Sequence, residues 1–172
     1  MTYYTYVSSP LGLLLLTSDG SALTGLYMNE HKHGTAISDN WILRDDAPPF
    51  PEARTQLEEY FVGTRTQFDL PLAADGTAFQ REVWAELETI PYGETISYGE
   101  LARRVGRPRG AQAVGAANGR NPISIIVPCH RVVGADGALV GYGGGLERKA
   151  ALLAHEAKNR SDVPRQLALG VI

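Results

Sequence analysis

The chain has 172 residues and a single cysteine, which excludes any internal disulfide framework. A protein without disulfides fits a reducing compartment, so we expect a cytoplasmic location. Long apolar runs are also missing, since none approaches the ~20 residues of a membrane-spanning helix. The N-terminus lacks the basic segment and apolar stretch of a signal peptide. An apolar fraction of 44% still suffices for a folded core, and we expect a globular protein with no membrane partner.

Positive charge is not in excess either. The net charge is −3, which alone argues against a nucleic-acid partner. The charges are unevenly distributed, however, because residues 1–75 carry a net −6 and residues 76–160 a net +3. A basic half beside an acidic one is typical of a protein that meets nucleic acid on one part only. Chance segregation of charge is the alternative.

The first part of the chain has the pattern of a small antiparallel sheet followed by a helix. Turn residues separate three apolar or aromatic segments, which predict strands over Thr2–Ser8, Leu13–Thr17 and Leu23–Tyr27. Residues 29–51 are predicted to form a loop. His31 and His33 in this loop are more typical of solvated side chains than of a metal site, and we expect no metal. A helix is predicted over Glu52–Val62, with Gly63 ending it.

The second half begins after a linker at Ala73–Gly76. Thr77 and Gln80 have the spacing of a capping box, in which each side chain bonds the other residue's backbone N–H. Apolar residues then recur at helical spacing, which predicts a helix over Phe79–Thr89.

A helix-turn-helix is predicted next. Ser97 and Glu100 form a second capping box, at the start of a helix over Tyr98–Val105 that a glycine ends. Pro108 is expected in the first turn of a second helix, which runs to about Asn118. Two short helices around a glycine-containing turn are typical of this DNA-binding motif.

Arginines and small residues cluster at this motif. The arginines are suited to phosphate contacts: Arg103, Arg104, Arg107, Arg109 and Arg120. The second helix carries an unusual set of small residues: Gly110, Ala111, Ala113, Gly115, Ala116 and Ala117. Small side chains let a backbone approach a surface closely. That surface is either a DNA groove or a neighbouring helix, and the residues alone leave both open.

The cysteine lies at the end of an apolar segment. Ile123–Val127 is largely β-branched and predicts a buried strand, and Pro128 weakens sheet pairing just beyond it. Cys129 is therefore expected where a rigid strand gives way to a turn. The alternative is that Cys129 is an inert core residue, as lone buried cysteines often are.

A base for the cysteine stands next in sequence. A neighbouring cation or base raises the thiolate fraction of a cysteine, and His130 and Arg131 follow Cys129 directly. A histidine in this role usually needs a third group to fix its tautomer. Glu156, on a helix predicted over Leu146–Ala157, is the candidate.

The predicted fold is of the α/β (α+β) class. A small N-terminal antiparallel-sheet domain occupies residues 1–75. A mostly helical C-terminal domain with the helix-turn-helix and a short active-site strand occupies residues 76–160, and a tail follows at 161–172.

The residues around the cysteine resemble a known family. The run Val127-Pro128-Cys129-His130-Arg131, followed by Val132-Val133-Gly134, resembles the active-site signature of the O6-alkylguanine-DNA alkyltransferases. Further segments resemble the family in the same order and at its spacing: Ile96–Ala102, Ala113–Ala116, Asn118–Pro122, Gly141–Leu146 and Leu152–Glu156. The resemblance implies direct-reversal DNA repair, in which the alkyl group of O6-alkylguanine, and also of O4-alkylthymine, moves once to Cys129. No cofactor is implied.

The same resemblance implies individual roles. Cys129, as thiolate, would attack the alkyl carbon of a base flipped out of the duplex. His130 would take the thiol proton through a water and Glu156 would orient His130. Asn121 would hold the turn before the cysteine, and Tyr98 would donate its hydroxyl to the leaving base. The expected contacts to the base and its pocket are Val132, Tyr142, Gly143 and Lys149, the last by supporting the glycine-rich loop that walls the pocket.

The implied partner is double-stranded alkylated DNA, with the small-residue helix in the minor groove. The expected DNA contacts are Arg109, Gly110, Ala111, Gln112, Ala113, Gly115, Arg120 and Arg131. Gln112 stands where the family usually has an arginine that replaces the flipped base in the stack. Glutamine lacks arginine's charge and planar stacking, so we expect weaker binding or slower flipping unless Arg109 or Arg120 substitutes. We expect a monomer and leave clustering on DNA open.

Two other functions stay open at this point. A damage sensor without transfer activity would keep the helix-turn-helix, but sensors of the family lack the cysteine that this chain has. A Cys–His hydrolase of esters or peptides would need an oxyanion hole, and the sequence indicates none.

Overall fold

The computed structural model describes residues 1–29 and 36–160. Its N-terminal half contains a four-stranded sheet in the order β3-β2-β1-β4, antiparallel except for the β1–β4 pair. The strands are β1 (Tyr3–Ser9), β2 (Gly12–Ser18), β3 (Leu23–Met28) and β4 (Ile42–Leu43). The three predicted strands are confirmed to within one residue at each end. The short β4 falls in the predicted loop, and His31, His33 and the tail 161–172 lie outside the described residues.

Helix α1 (Phe50–Phe61) confirms the predicted helix and begins two residues earlier. A proline in the first helical turn loses no hydrogen bond, so Pro51 is compatible with this early start. Gly63 follows the helix with φ 87°, a conformation that favours glycine. The buried side of α1 includes Leu57 and Tyr60, which pack in the core.

The C-terminal half is mostly helical. Its elements are α2 (Ala78–Leu87), β5 (Ile96–Ser97), α3 (Tyr98–Arg104), α4 (Ala111–Gly119), β6 (Val132–Val133) and α5 (Leu146–Arg160). The capping box at α2 is confirmed. The Gln80 N–H donates to Thr77 Oγ1 at 3.1 Å and the Thr77 N–H to Gln80 Oε1 at 2.9 Å.

Only half of the second predicted capping box forms. Ser97 Oγ accepts a hydrogen bond from the Glu100 N–H at 3.0 Å, as expected. The Glu100 carboxylate does not return the bond but pairs with Arg103 at 3.0 Å and Arg104 at 3.5 Å. Arginines one turn further along the helix lie on the same face and attract the carboxylate away from the cap.

Helices α3 and α4 form the predicted helix-turn-helix, and Gly106 ends the first of them with φ 75°. The placement of Pro108 in the first turn of the second helix is wrong. Pro108 lies in a turn closed by the Gly110 N–H and the Arg107 carbonyl oxygen at 2.7 Å, and α4 begins only at Ala111. The fixed φ of proline suits a turn as well as a first helical turn.

The two halves share one hydrophobic core. Buried side chains from the sheet, α1 and the C-terminal helices form a single cluster. The backbone also connects the halves, because the Leu26 N–H donates to the Pro122 carbonyl at 2.8 Å and the Ser124 N–H to the Leu26 carbonyl at 3.2 Å. The segment before the cysteine is thereby fixed to β3. Within residues 1–29 and 36–160, no helix has the length and apolar character needed to cross a bilayer.

Candidate active site

The segment before the cysteine has no regular secondary structure, so the predicted buried strand over Ile123–Val127 is wrong. Only Ile123 makes a β-bridge, with Leu26, and the following residues turn, with Ile125 at φ 72°. Cys129 begins a 3-10 turn, and the short strand of the site is β6, which follows that turn. The apolar run is buried because it lines the common core, not because it joins a sheet.

Two buried asparagines hold this coiled segment. Asn121 Nδ2 donates to the carbonyls of Val127 at 2.8 Å and Ile123 at 3.4 Å, and its Oδ1 accepts the Ile123 N–H at 3.0 Å. Asn121 therefore holds the turn as expected. Asn118, which sequence reasoning did not single out, donates from Nδ2 to the Cys129 carbonyl at 3.3 Å. Its one signal is that it is the sole amide side chain on the buried side of α4.

Cys129 rests as a neutral thiol. Its exposed fraction is 5%, and burial raises the pKa of the thiol to about 11, although a hydrogen bond from Asn121 and the charge of Lys149 act in the opposite direction. A thiol is a poor nucleophile compared with a thiolate. Reaction at this sulfur therefore requires a base.

A candidate base, His130, follows Cys129 directly in the chain. His130 is fully buried, and its Nε2 lies 2.7 Å from Glu156 Oε2. Burial alone would raise the pKa of the Glu156 carboxyl, but His130 and Arg131 hold it well below its usual range. An ionised carboxylate only accepts hydrogen bonds, so it places the ring proton of His130 on Nε2.

The second ring nitrogen of His130 is free to act. Burial lowers the pKa of His130, with Glu156 opposing, so the ring is neutral at neutral pH. Its Nδ1 is buried and has no hydrogen-bond partner among the described residues. A neutral imidazole with its proton on Nε2 carries a basic lone pair on Nδ1, which is the atom that accepts a proton.

Arg131 belongs to the interior, so the expectation that it contacts DNA is wrong. Its exposed fraction is 7%, its Nε donates to Glu156 Oε1 at 2.8 Å, and its Nη1 donates to the Ile90 carbonyl at 2.7 Å. A buried carboxylate is the strongest available partner for a guanidinium. The sequence showed the charge of Arg131 but not the direction of its side chain.

Glu156 also accepts from residues that sequence reasoning missed. Tyr60, on α1 in the N-terminal half, donates its hydroxyl to Glu156 Oε2 at 2.7 Å. The Gly93 N–H is 3.4 Å from Oε1. The carboxylate is therefore surrounded by donors from both halves. No local pattern distinguishes Tyr60 from the other buried residues of α1.

Lys149 ties β6 to the glycine-rich loop after it. The side chain is fully buried, and Nζ donates to the carbonyls of Val132 at 2.7 Å, Val140 at 2.8 Å and Gly141 at 3.2 Å. Burial lowers the pKa of Lys149 to about 8, with Cys129 opposing. The expected support of the loop by Lys149 is thus visible as three hydrogen bonds.

A pocket of about 210 Å³ opens between α3, α4 and this loop. It is lined by Tyr98, Gly115, Ala116, Asn118, Gly119, Gly141, Tyr142 and Gly143. Tyr98 donates its hydroxyl to the Val140 carbonyl at 3.0 Å, and Asn118 Oδ1 is buried without a partner among the described residues. Aromatic rings and bare backbone with a few polar atoms suit a small planar ring. Among the described residues, no three histidine, cysteine, aspartate or glutamate side chains lie close enough together to hold a metal ion.

The outer side of α4 is bare and flanked by positive charge. Gln112, Ala113 and Ala116 are exposed, and Gly110, Ala111 and Gly115 are partly exposed. Arg109 and Arg120, at the two ends of the helix, are exposed and form no ion pair within the described part of the chain. Val114 and Ala117 face the core instead, so small residues serve both packing and surface.

Two family models match the chain. Residues 2–74 match 6-O-methylguanine DNA methyltransferase, ribonuclease-like domain, and residues 78–158 match 6-O-methylguanine DNA methyltransferase, DNA binding domain. The methylated-DNA–protein-cysteine methyltransferase of Mycobacterium tuberculosis is 50% identical over 169 residues, covering 98% of this chain and 99% of that protein. Its namesake from Methanosarcina acetivorans is 47% identical over 154 residues, covering 90% and 97%. The crystal structure of Mycobacterium tuberculosis OGT in complex with DNA is 51% identical, with a TM-score of 0.84 over 91% of this chain and 94% of that one.

Proposed function

The chain belongs to the 6-O-methylguanine DNA methyltransferase family, and on that premise we infer that it repairs alkylated DNA by direct reversal. It transfers the alkyl group of O6-alkylguanine to its own cysteine, and Cys129 is the only cysteine of the sequence. The product is a thioether, and exchange chemistry resolves disulfides but not thioethers. Each molecule therefore acts once.

The observation that supports this chemistry best is the buried pair of His130 and Glu156 beside Cys129. His130 Nδ1 takes the thiol proton through a water, because a thiol with a pKa of about 11 does not ionise by itself at neutral pH. This proton transfer converts the neutral thiol and the neutral imidazole into a thiolate and an imidazolium, so the net charge of the buried cluster does not change. The carboxylate of Glu156 stabilises the imidazolium as it forms.

The transfer step balances within the site. The sulfur of Cys129 forms a bond to the alkyl carbon while the bond from that carbon to guanine O6 breaks, and the bonding electrons move into the guanine ring. The restored guanine needs one proton, which is the one that the thiol lost to His130. Tyr98 donates a hydrogen bond from its hydroxyl to the guanine ring as negative charge develops there. To do so, the hydroxyl gives up its present hydrogen bond to the Val140 carbonyl.

The damaged base reaches this site from double-stranded DNA. OGT from Mycobacterium tuberculosis has been solved in complex with DNA, and we extend DNA binding to this chain. The bare outer side of α4 enters the minor groove, since small side chains fit a groove only ~6 Å wide. Arg109 and Arg120 contact phosphates on either side. The target nucleotide flips into the pocket between Tyr98 and Tyr142.

Gln112 sets the efficiency of flipping. It is exposed on α4, where it fills the space that the flipped base leaves and bonds the orphaned partner base. Glutamine brings neither charge nor a stacking plane, so Gln112→Arg should raise both DNA affinity and transfer rate. Unchanged affinity and rate in Gln112→Arg would mean that the departure at this position is harmless.

The remaining features are proposals of the same kind. O4-alkylthymine also carries its alkyl group on an exocyclic oxygen, and its single ring is smaller than that of guanine, so it enters the pocket with fewer wall contacts. Val132, Tyr142 and Gly143 contact the base. The protein acts as a monomer in the cytoplasm, and its functional division falls between residues 75 and 76.

The test is the mass of the intact protein after incubation with duplex DNA that contains O6-methylguanine. The wild type should gain one methyl group per molecule and then stop, whereas Cys129→Ala should gain none while still binding the DNA. Tight binding without a mass change would indicate a damage sensor instead. Continued turnover of an ester substrate would indicate a hydrolase.

A further inference from the structure

The N-terminal half reaches the reacting groups at one point. Tyr60 lies on α1, yet its hydroxyl donates to Glu156 Oε2 at 2.7 Å. The same oxygen lies 2.7 Å from His130 Nε2. Donors from both halves of the chain thus share one oxygen of a fully buried carboxylate, to which Arg131 Nη2 also donates at 3.1 Å.

Tyr60 has little freedom to move from this position. Its side chain is fully buried. The centre of its ring lies 5.1 Å from that of Phe61, 5.4 Å from that of Phe68 and 6.1 Å from that of Tyr92. Its backbone carbonyl accepts a hydrogen bond from His155 Nε2 at 2.7 Å. Both ends of the residue are therefore attached to α5, the helix that carries Glu156.

We propose that Tyr60 is a positioning residue for alkyl transfer: by donating to Glu156 Oε2, it holds this oxygen on His130 Nε2 and keeps the ring neutral and ready to accept the proton of Cys129. The proposal rests on the function above, in which His130 is the base. It gives the N-terminal half a part in the chemistry beyond that of a scaffold.

The other donors to Glu156 do not replace this bond. Arg131 Nε and the Gly93 N–H both bond Oε1, and Arg131 Nη2 reaches Oε2 only at 3.1 Å. Without the Tyr60 hydroxyl, the negative charge on Oε2 is less compensated and attracts the protonated ring of His130 more strongly. His130 then retains its second proton to a higher pH. The other titratable or charged groups that interact electrostatically with the pair are Arg131, Lys149, Tyr92 and Tyr142, and all of them are unchanged in a Tyr60→Phe variant.

The experiment compares the wild type with Tyr60→Phe and with a matched control, Tyr92→Phe. Phenylalanine keeps the ring contacts of Tyr60 and removes only the hydroxyl. Tyr92 packs against both Tyr60 and Arg131, but its hydroxyl makes no hydrogen bond to Glu156. Two quantities are measured: the rate constant of methyl transfer from pH 6 to pH 9, and the protonated fraction of His130 from the nitrogen signals of its ring.

We expect Tyr60→Phe to transfer about tenfold more slowly at pH 6, the size of effect usual for such supporting hydrogen bonds, and to approach the wild type at pH 9. Its His130 should titrate at higher pH than in the wild type, and Tyr92→Phe should change neither quantity. Site-specific 3-fluorotyrosine at position 60 keeps the hydroxyl as a stronger donor, so it should shift the His130 titration in the opposite direction.

A deficit that is the same at every pH, or none, overturns the proposal, and so does an unshifted His130 titration over the range in which the variants stay folded. The histidine measurement needs no substrate. If the wild type failed to gain a methyl group at all, the proposed function would fall, while the titration would still decide whether Tyr60 acts on His130.

Discussion

At the scale of single residues, the thiol of Cys129 shows how burial sets the resting state of the site. Burial raises the pKa of Cys129 to about 11, from an ordinary value of 9.0. Because the folded-state pKa is the higher one, the stability that the buried neutral thiol contributes is complete below pH 9 and is lost as the pH rises towards 11.

The first prediction follows from this shift. The free energy of unfolding of the wild type, relative to Cys129→Ala, should fall by about 2–3 kcal/mol between pH 9 and pH 11, since each pKa unit corresponds to about 1.4 kcal/mol. Denaturant titrations of both proteins measure the difference between their free energies of unfolding. The contributions of the other titrating groups are the same in both proteins and cancel in this difference. The thiolate absorbance of the folded protein should rise with a midpoint near pH 11, and a midpoint below pH 9 would contradict the prediction.

The second prediction concerns the charge of Glu156. Glu156→Gln keeps the shape of the side chain but leaves Arg131 buried without a counter-charge, so stability should drop by about 3–5 kcal/mol and transfer by roughly 10–100-fold. Thermal unfolding and the methyl-transfer assay measure the two effects. Glu100→Gln is the control, because Glu100 and its partners Arg103 and Arg104 lie at the surface, where an ion pair contributes little to stability. Equal losses in both variants would refute the assignment.

At this scale the sequence predicted which residues gather but not all of their partners. The hydrogen bond between His130 and Glu156 and the bonds of Asn121 to the segment before Cys129 form as expected, because the resemblance extends over all of these residues. Arg131 points inward and Tyr60 enters from the other half, and neither contact leaves a trace in the local pattern. Both contacts depend on which donors the folded chain places beside the buried carboxylate of Glu156.

At the scale of elements, α4 combines a packed side with a bare outer side. Its buried residues include Val114 and Ala117, whereas Ala113 and Ala116 are exposed. Substitutions on the outer side should therefore change DNA binding without changing the fold.

The third prediction uses that separation. Ala116→Glu places a negative charge on the proposed groove-binding side and should weaken DNA binding by about tenfold or more, because the carboxylate lies close to the phosphates. Ala85→Glu is the matched control, since Ala85 is an exposed alanine on another helix, α2. Binding titrations at fixed salt measure both affinities. Equal affinities would argue against α4 as the DNA-contacting element.

Elements with strong end signals were the easiest to predict. The capping box at Thr77 and the glycine after α3 are local devices, and both form as expected. The strand expected over Ile123–Val127 does not form, because beyond the single bridge to β3 the segment turns and its backbone bonds to itself and to the Asn121 side chain. Apolar, β-branched composition predicts burial there but does not distinguish a strand from a buried coil.

At the scale of the whole molecule, Arg148 connects the pocket loop to the N-terminal sheet. From α5, its Nε donates to the Leu11 carbonyl at 3.3 Å and its Nη1 to the carbonyls of Gly144, at 3.1 Å, and Asn29. Gly144 lies so close to β3 that an added Cβ would come within 2.7 Å of Met28 Sδ. The sheet therefore backs the loop that forms one wall of the pocket.

The fourth prediction tests this connection. Arg148→Met should lower stability by about 1–3 kcal/mol, since charge-assisted hydrogen bonds to three carbonyls are lost. It should also speed amide hydrogen exchange in the glycine loop and slow methyl transfer. Arg44→Met is the control, because Arg44 is exposed and makes only surface contacts, a pair with Asp46 and a contact 5.7 Å from the centre of the Tyr3 ring, so its loss should cost no more than about 1 kcal/mol. Unchanged exchange in the loop would show that the sheet does not restrain it.

The shared core has a practical consequence for protein engineering. Asp75 is exposed in the connector between the halves, while Tyr60 lies before it and Glu156 after it. A chain cut after Asp75 would yield two fragments that each expose part of the shared apolar core, and it would separate Tyr60 from Glu156. Fused to two other proteins, the fragments would form a proximity reporter, because the shared core around Cys129 would be restored, and Cys129 labelled at its full rate, where the two fusion partners meet.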